Sequence, residues 1–240
     1  PRKAPEGATW AEPVKVFDAV RYKRDGKGLL AASHTHVFVL PADGGTPRQL
    51  TRGDFDHEAP LAWSGDGERI YFSSHRGEDW EYEPVESDLF ADRVADGELT
   101  RITAREGREW SPVLSPDGER IAYLHDDARK VPYRNRIVHV VDVGGAGEAA
   151  LTADLDRSAA DLKWSRDGRH VYFSYDDHGD RKVARVDLAG RIETVAAGLG
   201  GASLGRPYLS GGFDVAPDGG VVFMHGTAYR PADLAVTAPP

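Results

Sequence analysis

Five of the seven Asp-Gly pairs in the 240-residue chain, at Asp25, Asp66, Asp117, Asp167 and Asp218, sit in strings that are copies of one another. Trp63-Ser64-Gly65-Asp66-Gly67-Glu68-Arg69-Ile70-Tyr71-Phe72 returns as Leu114-Ser115-Pro116-Asp117-Gly118-Glu119-Arg120-Ile121-Ala122-Tyr123. It returns again as Trp164-Ser165-Arg166-Asp167-Gly168-Arg169-His170-Val171-Tyr172-Phe173. A weaker copy runs from Val215 to Phe223, and a degenerate one from Tyr22 to Leu30. The spacings are 41, 51, 50 and 51 residues. Asp-Gly between apolar runs is a hairpin signal, and a type I′ turn with positive φ at both residues is expected at each. The flanking runs alternate, or are β-branched and aromatic, as strands require. Each repeat then carries two more strand-like pieces. One is His36 to Leu40, matched by Asp88 to Phe90, Ile137 to Val143, Lys182 to Leu188 and Asp233 to Val236. The other ends in Leu50-Thr51, Ile102-Thr103, Leu151-Thr152 and Thr194-Val195.

Four strands per period of ~40–50 residues is the pattern of an all-β propeller with four-stranded antiparallel blades. One blade cannot bury both faces alone, so neighbours must pack face to face, with Trp63, Leu114 and Trp164 filling the layers between them. A solenoid of strands competes, but its periods are nearer ~20–30 residues. The expected blades are 14–51, 59–103, 110–152, 160–195 and 210–236, the last lacking its fourth strand. An open array would leave apolar blade faces in water. Residues 1–240 are therefore expected to be a segment of a larger ring and of a longer protein.

Composition narrows the function classes. A net charge of −9 argues against a broad phosphate-binding surface, so no nucleic-acid partner is expected. Cys is 0, which removes disulfides, thiolate metal sites and Cys nucleophiles. No apolar run approaches the ~18 residues of a membrane span, so no membrane partner is expected. Pro1 to Gly7 lacks the apolar stretch of a signal peptide, and a cytoplasmic location is the expectation.

The repeat resembles that of TolB-like propellers. The strings "TPRQLTRGDFD", "PLAWSGDGERIYFSSHRGEDWEYEPVESDLF", "SPDGERIAYL" and "RYKRDGKG" are similar to the non-catalytic propeller of prolyl-oligopeptidase-family serine peptidases, on the acylaminoacyl-peptidase side, as is the stretch from Leu204 to Val236. The similarity covers nearly the whole chain. It implies a parent enzyme that hydrolyses short or N-acylated peptides by acyl transfer through serine. It also implies that the propeller covers an α/β-hydrolase domain, here absent, and gates access to it. The partners implied are that hydrolase domain, short peptide substrates and a second copy of the chain. A TolB-like protein-binding propeller is the alternative, and a propeller glycosidase using channel carboxylates is the second.

Several constellations compete for a role. Gly201-Ala202-Ser203-Leu204-Gly205 matches the G-x-S-x-G nucleophile elbow, but Pro207 disfavours the helix that must follow. It reads as a glycine-rich loop, so no catalytic residue is expected in this segment. Asp18, Glu58, Glu109, Asp161 and Asp214 lie at or before the innermost strands and would line a channel. Their offsets from the Asp-Gly turn differ, which favours an acidic lining over a catalytic pair. His34 and His36 share one strand face, but no third ligand is evident, and neither metal nor cofactor is expected. His125 and His225 recur after the second strand of their repeats, as a blade-edge feature would. The loop Ser74 to Pro84 is polar with two aromatics, a common makeup for recognition. With the loop Asp126 to Asn135 it shares the face of the blade-to-blade connections. Arg76, Trp80, Tyr82, Tyr133, Arg134, Arg206 and Tyr208 are the expected contacts with hydrolase, substrate or a neighbouring subunit.

Overall fold

The Asp-Gly corners close hairpins, but through a different turn from the one expected. In the computed structural model, which describes residues 5–9, 11, 14–31, 33–127, 133–201, 211–227 and 229–239, Gly67 N donates to Ser64 O at 3.0 Å and Ser64 N to Arg69 O at 2.9 Å. Gly67 has φ +75°, while Asp66 is not among the residues with positive φ. This is a type I turn followed by a left-handed glycine, not type I′. The reason is the aspartate itself. Its Oδ1 accepts from the Ser64 hydroxyl at 2.5 Å and from Glu68 N at 2.9 Å, which fixes it in the ordinary right-handed region. The corners at Asp117 and Asp167 repeat the pattern with Ser115 and Ser165. Gly118 has φ +73° and open space where a Cβ would go. Gly118→Ala is therefore expected to cost about 1 kcal/mol from backbone conformation alone, read by urea denaturation. An unchanged midpoint would deny the positive φ.

The chain divides into two compact units, Pro1–Ser33 and His34–Pro240. The first holds one hairpin, β1 (Lys23–Arg24) with β2 (Gly28–Leu29). The second holds the rest, and among the described residues no helix occurs. It starts with a two-stranded sheet, β3 (Phe38–Val39) and β4 (Arg48–Gln49). Three four-stranded sheets follow: β5 (His57–Trp63), β6 (Arg69–Ser74), β7 (Asp88–Arg93), β8 (Leu99–Arg101); then β9 (Arg108–Leu114), β10 (Arg120–Asp126), β11 (Ile137–Asp142), β12 (Ala149–Ala150); then β13 (Ala159–Trp164), β14 (His170–Asp177), β15 (Asp180–Asp187), β16 (Ile192–Ala196). The last sheet has three strands, β17 (Phe213–Val215), β18 (Val221–Thr227) and β19 (Arg230–Val236). Within each sheet, every strand pairing among the described residues is antiparallel between sequence neighbours, as an up-and-down blade demands.

The second strand of each blade shows why the blades stack. Side chains alternate across a strand. Ile70 and Phe72 pack towards Val37 and Leu50, while Tyr71 packs the other way against Ile121 and Val141. Likewise Val171 and Phe173 join Leu124 and Val138 on one side, and Tyr172 joins Phe213 and Phe223 on the other. Trp164 is buried in its layer, and its Nε1 donates to Val113 O of the preceding blade at 2.9 Å. Leu114 packs beside Tyr71 and Ile121. Trp63 departs from expectation and stays 51% exposed. The β3–β4 sheet has only two strands; it covers Ile70, Phe72 and Phe90 but leaves most of β5 in solvent.

Two polar devices recur with the repeat. The Thr that ends each of three blades accepts a backbone N–H from the third strand: Val37 N to Thr51, Leu89 N to Thr103 and Val138 N to Thr152, each at 2.9 Å. This explains the Leu-Thr signature in the sequence. The fourth blade does not follow, since Thr194 Oγ1 meets Tyr175 Oη at 2.7 Å instead. Neighbouring blades are also stitched through the backbone. His57 N donates to Thr35 O, Glu109 N to Ser87 O, and Ala159 N to Arg136 O, at 2.9–3.0 Å.

Candidate functional site

The innermost strand of each blade runs from the blade-to-blade connection towards the Asp-Gly corner. The loops between second and third strands therefore return to the face of the connections. Loop 75–87 is the longest described segment of this kind. Turns hold it, with Tyr82 N on Asp79 O at 2.8 Å and Glu86 N on Glu83 O at 3.1 Å. Its far end is fastened to the next blade. Ser87 Oγ donates to Glu109 O at 2.9 Å, and the Glu86 carboxylate accepts from Gly107 N at 2.9 Å.

The candidate contacts on this loop separate into a buried anchor and an exposed tip. Arg76 is an anchor. Its Nη1 lies 2.8 Å from His57 Nε2, and its guanidinium sits 4.5 Å from the centre of the Phe55 ring. Trp80 is half-buried, its ring edge-on to His34 at 5.8 Å. Tyr82 is 72% exposed and free to meet a partner. In the next blade Tyr133 is 83% exposed and Arg134 is exposed beside it. They border a groove of about 580 Å³ whose other walls include Ile137, Leu155 and Asp156. Arg206 and Tyr208 lie outside the described residues, as do Lys130, Ser203 and the rest of 202–210.

The five carboxylates of the innermost strands do not act as a set. Asp18 belongs to the first unit. Glu58 faces Arg108 at 3.8 Å, and Asp214 faces Lys163 at 3.3 Å. Asp161 accepts from Arg181 Nη2 and Ser174 Oγ, both at 2.6 Å. Glu109 alone is fully buried, and burial pushes its carboxyl up to about 7. Neither of its oxygens makes a well-formed hydrogen bond. The Thr103 and Tyr123 hydroxyls offset the burial only in part, while the charges of Asp88 and Glu148 add to it. A group with that proton affinity suits acid–base work, but this one has no access for a substrate.

The histidines resolve into structural roles. His34 is directed to Trp80 and, at 4.0 Å, to Asp56; His36 Nδ1 meets Thr51 Oγ1 at 3.3 Å. Among the described residues no group of three His, Asp or Glu is placed to hold a metal. His125 and His225 lie within the second strands, β10 and β18, and not after them as expected, but both reach a blade connection. The His125 Nε2 is 3.0 Å from Glu106 O and the His225 Nδ1 is 2.8 Å from Gly198 O, so each ring pins the connection entering its blade.

Two clusters escape a reading of the sequence. One is His57 with Arg76. The other surrounds Glu148, whose Oε1 takes hydrogen bonds from Arg105 Nε at 2.6 Å, Tyr123 Oη at 2.9 Å and His139 Nδ1 at 3.1 Å. Burial holds the His139 imidazole down near 4, with His125 and Arg105 adding to the effect. Both clusters join residues from different strands and connections, and no spacing rule links them.

The repeat and its blades match the family profile of the TolB beta propeller domain over residues 15–203. This chain belongs to that family. Among curated proteins, dipeptidyl-peptidase 5 of Trichophyton equinum is 40% identical over 81 residues, which is 33% of this chain and 11% of the relative. The TolB-propeller chain thus matches only a small part of that relative's length. Among solved structures, a putative TolB from Agrobacterium tumefaciens is 26% identical with a TM-score of 0.52, covering 68% of this chain and 56% of the other. A puromycin-hydrolyzing peptidase from Mycobacterium tuberculosis reaches a TM-score of 0.64 at 18% identity, covering 85% of this chain and 34% of that one. At that identity the likeness shows the fold. The propeller is related to those of peptidases and to TolB, and among its described residues no helix is long and apolar enough to cross a membrane.

Proposed function

We propose that this propeller is the non-catalytic part of a serine peptidase of the prolyl-oligopeptidase family. Its parent would be a cytoplasmic enzyme that hydrolyses short or N-acylated peptides, with an α/β-hydrolase domain elsewhere in the protein. The observation that carries this reading is the 40% identity to a dipeptidyl-peptidase over 81 residues. The propeller's work is to select substrates by access. Loop 75–87 and the Tyr133–Arg134 edge share the face of the blade connections. Tyr82 and Tyr133 stand out from it as rigid aromatics, the side chains that contact surfaces favour. The hydrolase domain, the peptide and a second copy of the chain are the partners proposed for that face.

The reading is tested on the full parent protein. A fluorophosphonate probe should label one serine outside residues 1–240, and labelling should abolish hydrolysis of dipeptidyl or N-acyl-aminoacyl substrates. A parent with no such serine, or with no peptide hydrolysis, would leave the TolB-like protein-binding module as the better account. Replacing Trp80 and Tyr82 together by Ala is expected to change the ratio of kcat/KM for short over long peptides by roughly fivefold, or to change the mass in solution. Unchanged kinetics together with unchanged mass would remove the loop from the selecting face.

A further inference from the structure

We propose that the His57–Arg76 hydrogen bond is a proton-operated latch on loop 75–87: neutral His57 holds the loop through Arg76, and protonated His57 releases it. The two partners of the ring define its state. His57 Nδ1 lies 2.8 Å from Thr35 O, a carbonyl that only accepts, so Nδ1 carries the proton. Nε2 lies 2.8 Å from Arg76 Nη1, a donor that never gives up its proton, so Nε2 must be the bare acceptor. A second proton on the ring has no place. It would set an N–H against a guanidinium N–H, and two cations in contact.

The surroundings make this contact a hinge for the loop. His57 is buried, with its ring edge-on to Phe72 of β6 at 5.3 Å. Arg76 opens the loop two residues after β6 ends, and spans back to the start of β5 through His57 and to the connection before it through the carbonyl of Arg52 at 3.4 Å. Phe55 and Phe90 flank the guanidinium. The charged and titratable groups facing His57 are Arg76 from the loop, His36 from the strand segment before β3, and Asp56 beside it in the chain. Burial, Arg76 and His36 disfavour the second proton; the Thr35 carbonyl and Asp56 favour it, and the balance holds His57 below its ordinary 6.5. A depressed folded value means that the latched form is fully favoured above 6.5 and loses its advantage as pH falls below it. The pins of the connections, Ser74 on Asp56 O in this blade and His125 on Glu106 O in the next, are each made to a carbonyl and not to a second cation. The latch is therefore particular to this loop. It resides in the propeller itself and stands whether or not the parent is a peptidase.

Backbone hydrogen exchange of residues 77–87 in the 240-residue chain, corrected for the intrinsic effect of pH, reads the latch directly. Protection is expected to fall about tenfold between pH 7.5 and 5.0 in the wild type. Arg76→Gln should be unprotected at both pH values, and His57→Gln should show no dependence on pH. Nitrogen-15 shifts of the wild-type imidazole give a second measure that needs no variant. They should report the Nδ1–H tautomer at pH 7.5, and titration below 6.5. Constant wild-type protection would overturn the proposal. So would the Nε2–H tautomer, or a loss of protection that persists in His57→Gln and so belongs to His34, His36 or Asp56.

Discussion

Gly107→Ala is expected to destabilise the propeller by about 3 kcal/mol, several times the effect of Gly118→Ala. Both glycines have positive φ, but they differ in what surrounds them. At Gly118 a Cβ meets nothing within 4 Å. At Gly107, with φ +105°, a Cβ would lie 2.4 Å from Asp126 O, 3.2 Å from Asp127 Cα and 3.1 Å from His125 Nε2. Two of these are backbone atoms, which cannot swing aside. The backbone must move where three segments meet. Gly107 N is held by Glu86, Gly107 O accepts from Ser87 N at 3.3 Å, and His125 pins Glu106 next door. The damage should therefore appear in loop 75–87 as well as in β9. Urea denaturation of both variants gives the comparison, and hydrogen exchange at residues 84–87 gives the local effect. Equal midpoints for the two variants would mean that the connection is not packed as described.

The fold was readable because its information is local. A corner needs Ser, Asp and Gly at fixed offsets, and a blade needs alternation over a few residues, so each repeat states its own structure. The turn type was misread for the same reason. Asp-Gly favours type I′ when the pair acts alone, but Ser64, Ser115 and Ser165 stand two residues ahead and hand the aspartate a hydroxyl proton. Trp63 and Trp164 occupy the same position in the repeat, yet one stays half exposed and the other is buried. That difference depends on how much of a neighbouring sheet covers each, which no residue near either Trp encodes. The candidate face was readable as a set of loops, because strand order fixes the end at which a loop emerges. Its anchors were not. Arg76 looked like a contact residue by type and position, and its partner His57 lies 19 residues earlier, at the start of β5. Glu109 looked like a channel carboxylate, and only the layer between two blades shows that it is enclosed.

That enclosure has a measurable consequence. Glu109→Gln is expected to remove a pH dependence of stability worth about 3 kcal/mol, the equivalent of raising a carboxyl from 4.5 to about 7. The sign follows from where the proton sits. Between pH 4.5 and 7 the folded chain keeps a proton on Glu109 that the unfolded chain releases, so stability falls as pH rises through that window. Below 4.5 both states hold the proton and the penalty vanishes. Above 7 the folded chain must bury an ionised carboxylate near Asp88 and Glu148, and the whole penalty is present. Gln has the same outline and no charge at any pH. Its amide introduces an offset from unmet hydrogen bonds, but that offset does not vary with pH. The informative quantity is therefore the wild-type stability minus that of the variant, measured by urea denaturation at pH 4.5, 5.5, 6.5 and 8. It should decline steadily and then level off above about pH 7. His139, Glu148 and Arg105 remain in both proteins, so their titrations largely cancel in the difference. A difference that is flat from pH 4.5 to 8 would show that Glu109 ionises freely, and hence that the seam between β5–β8 and β9–β12 admits water.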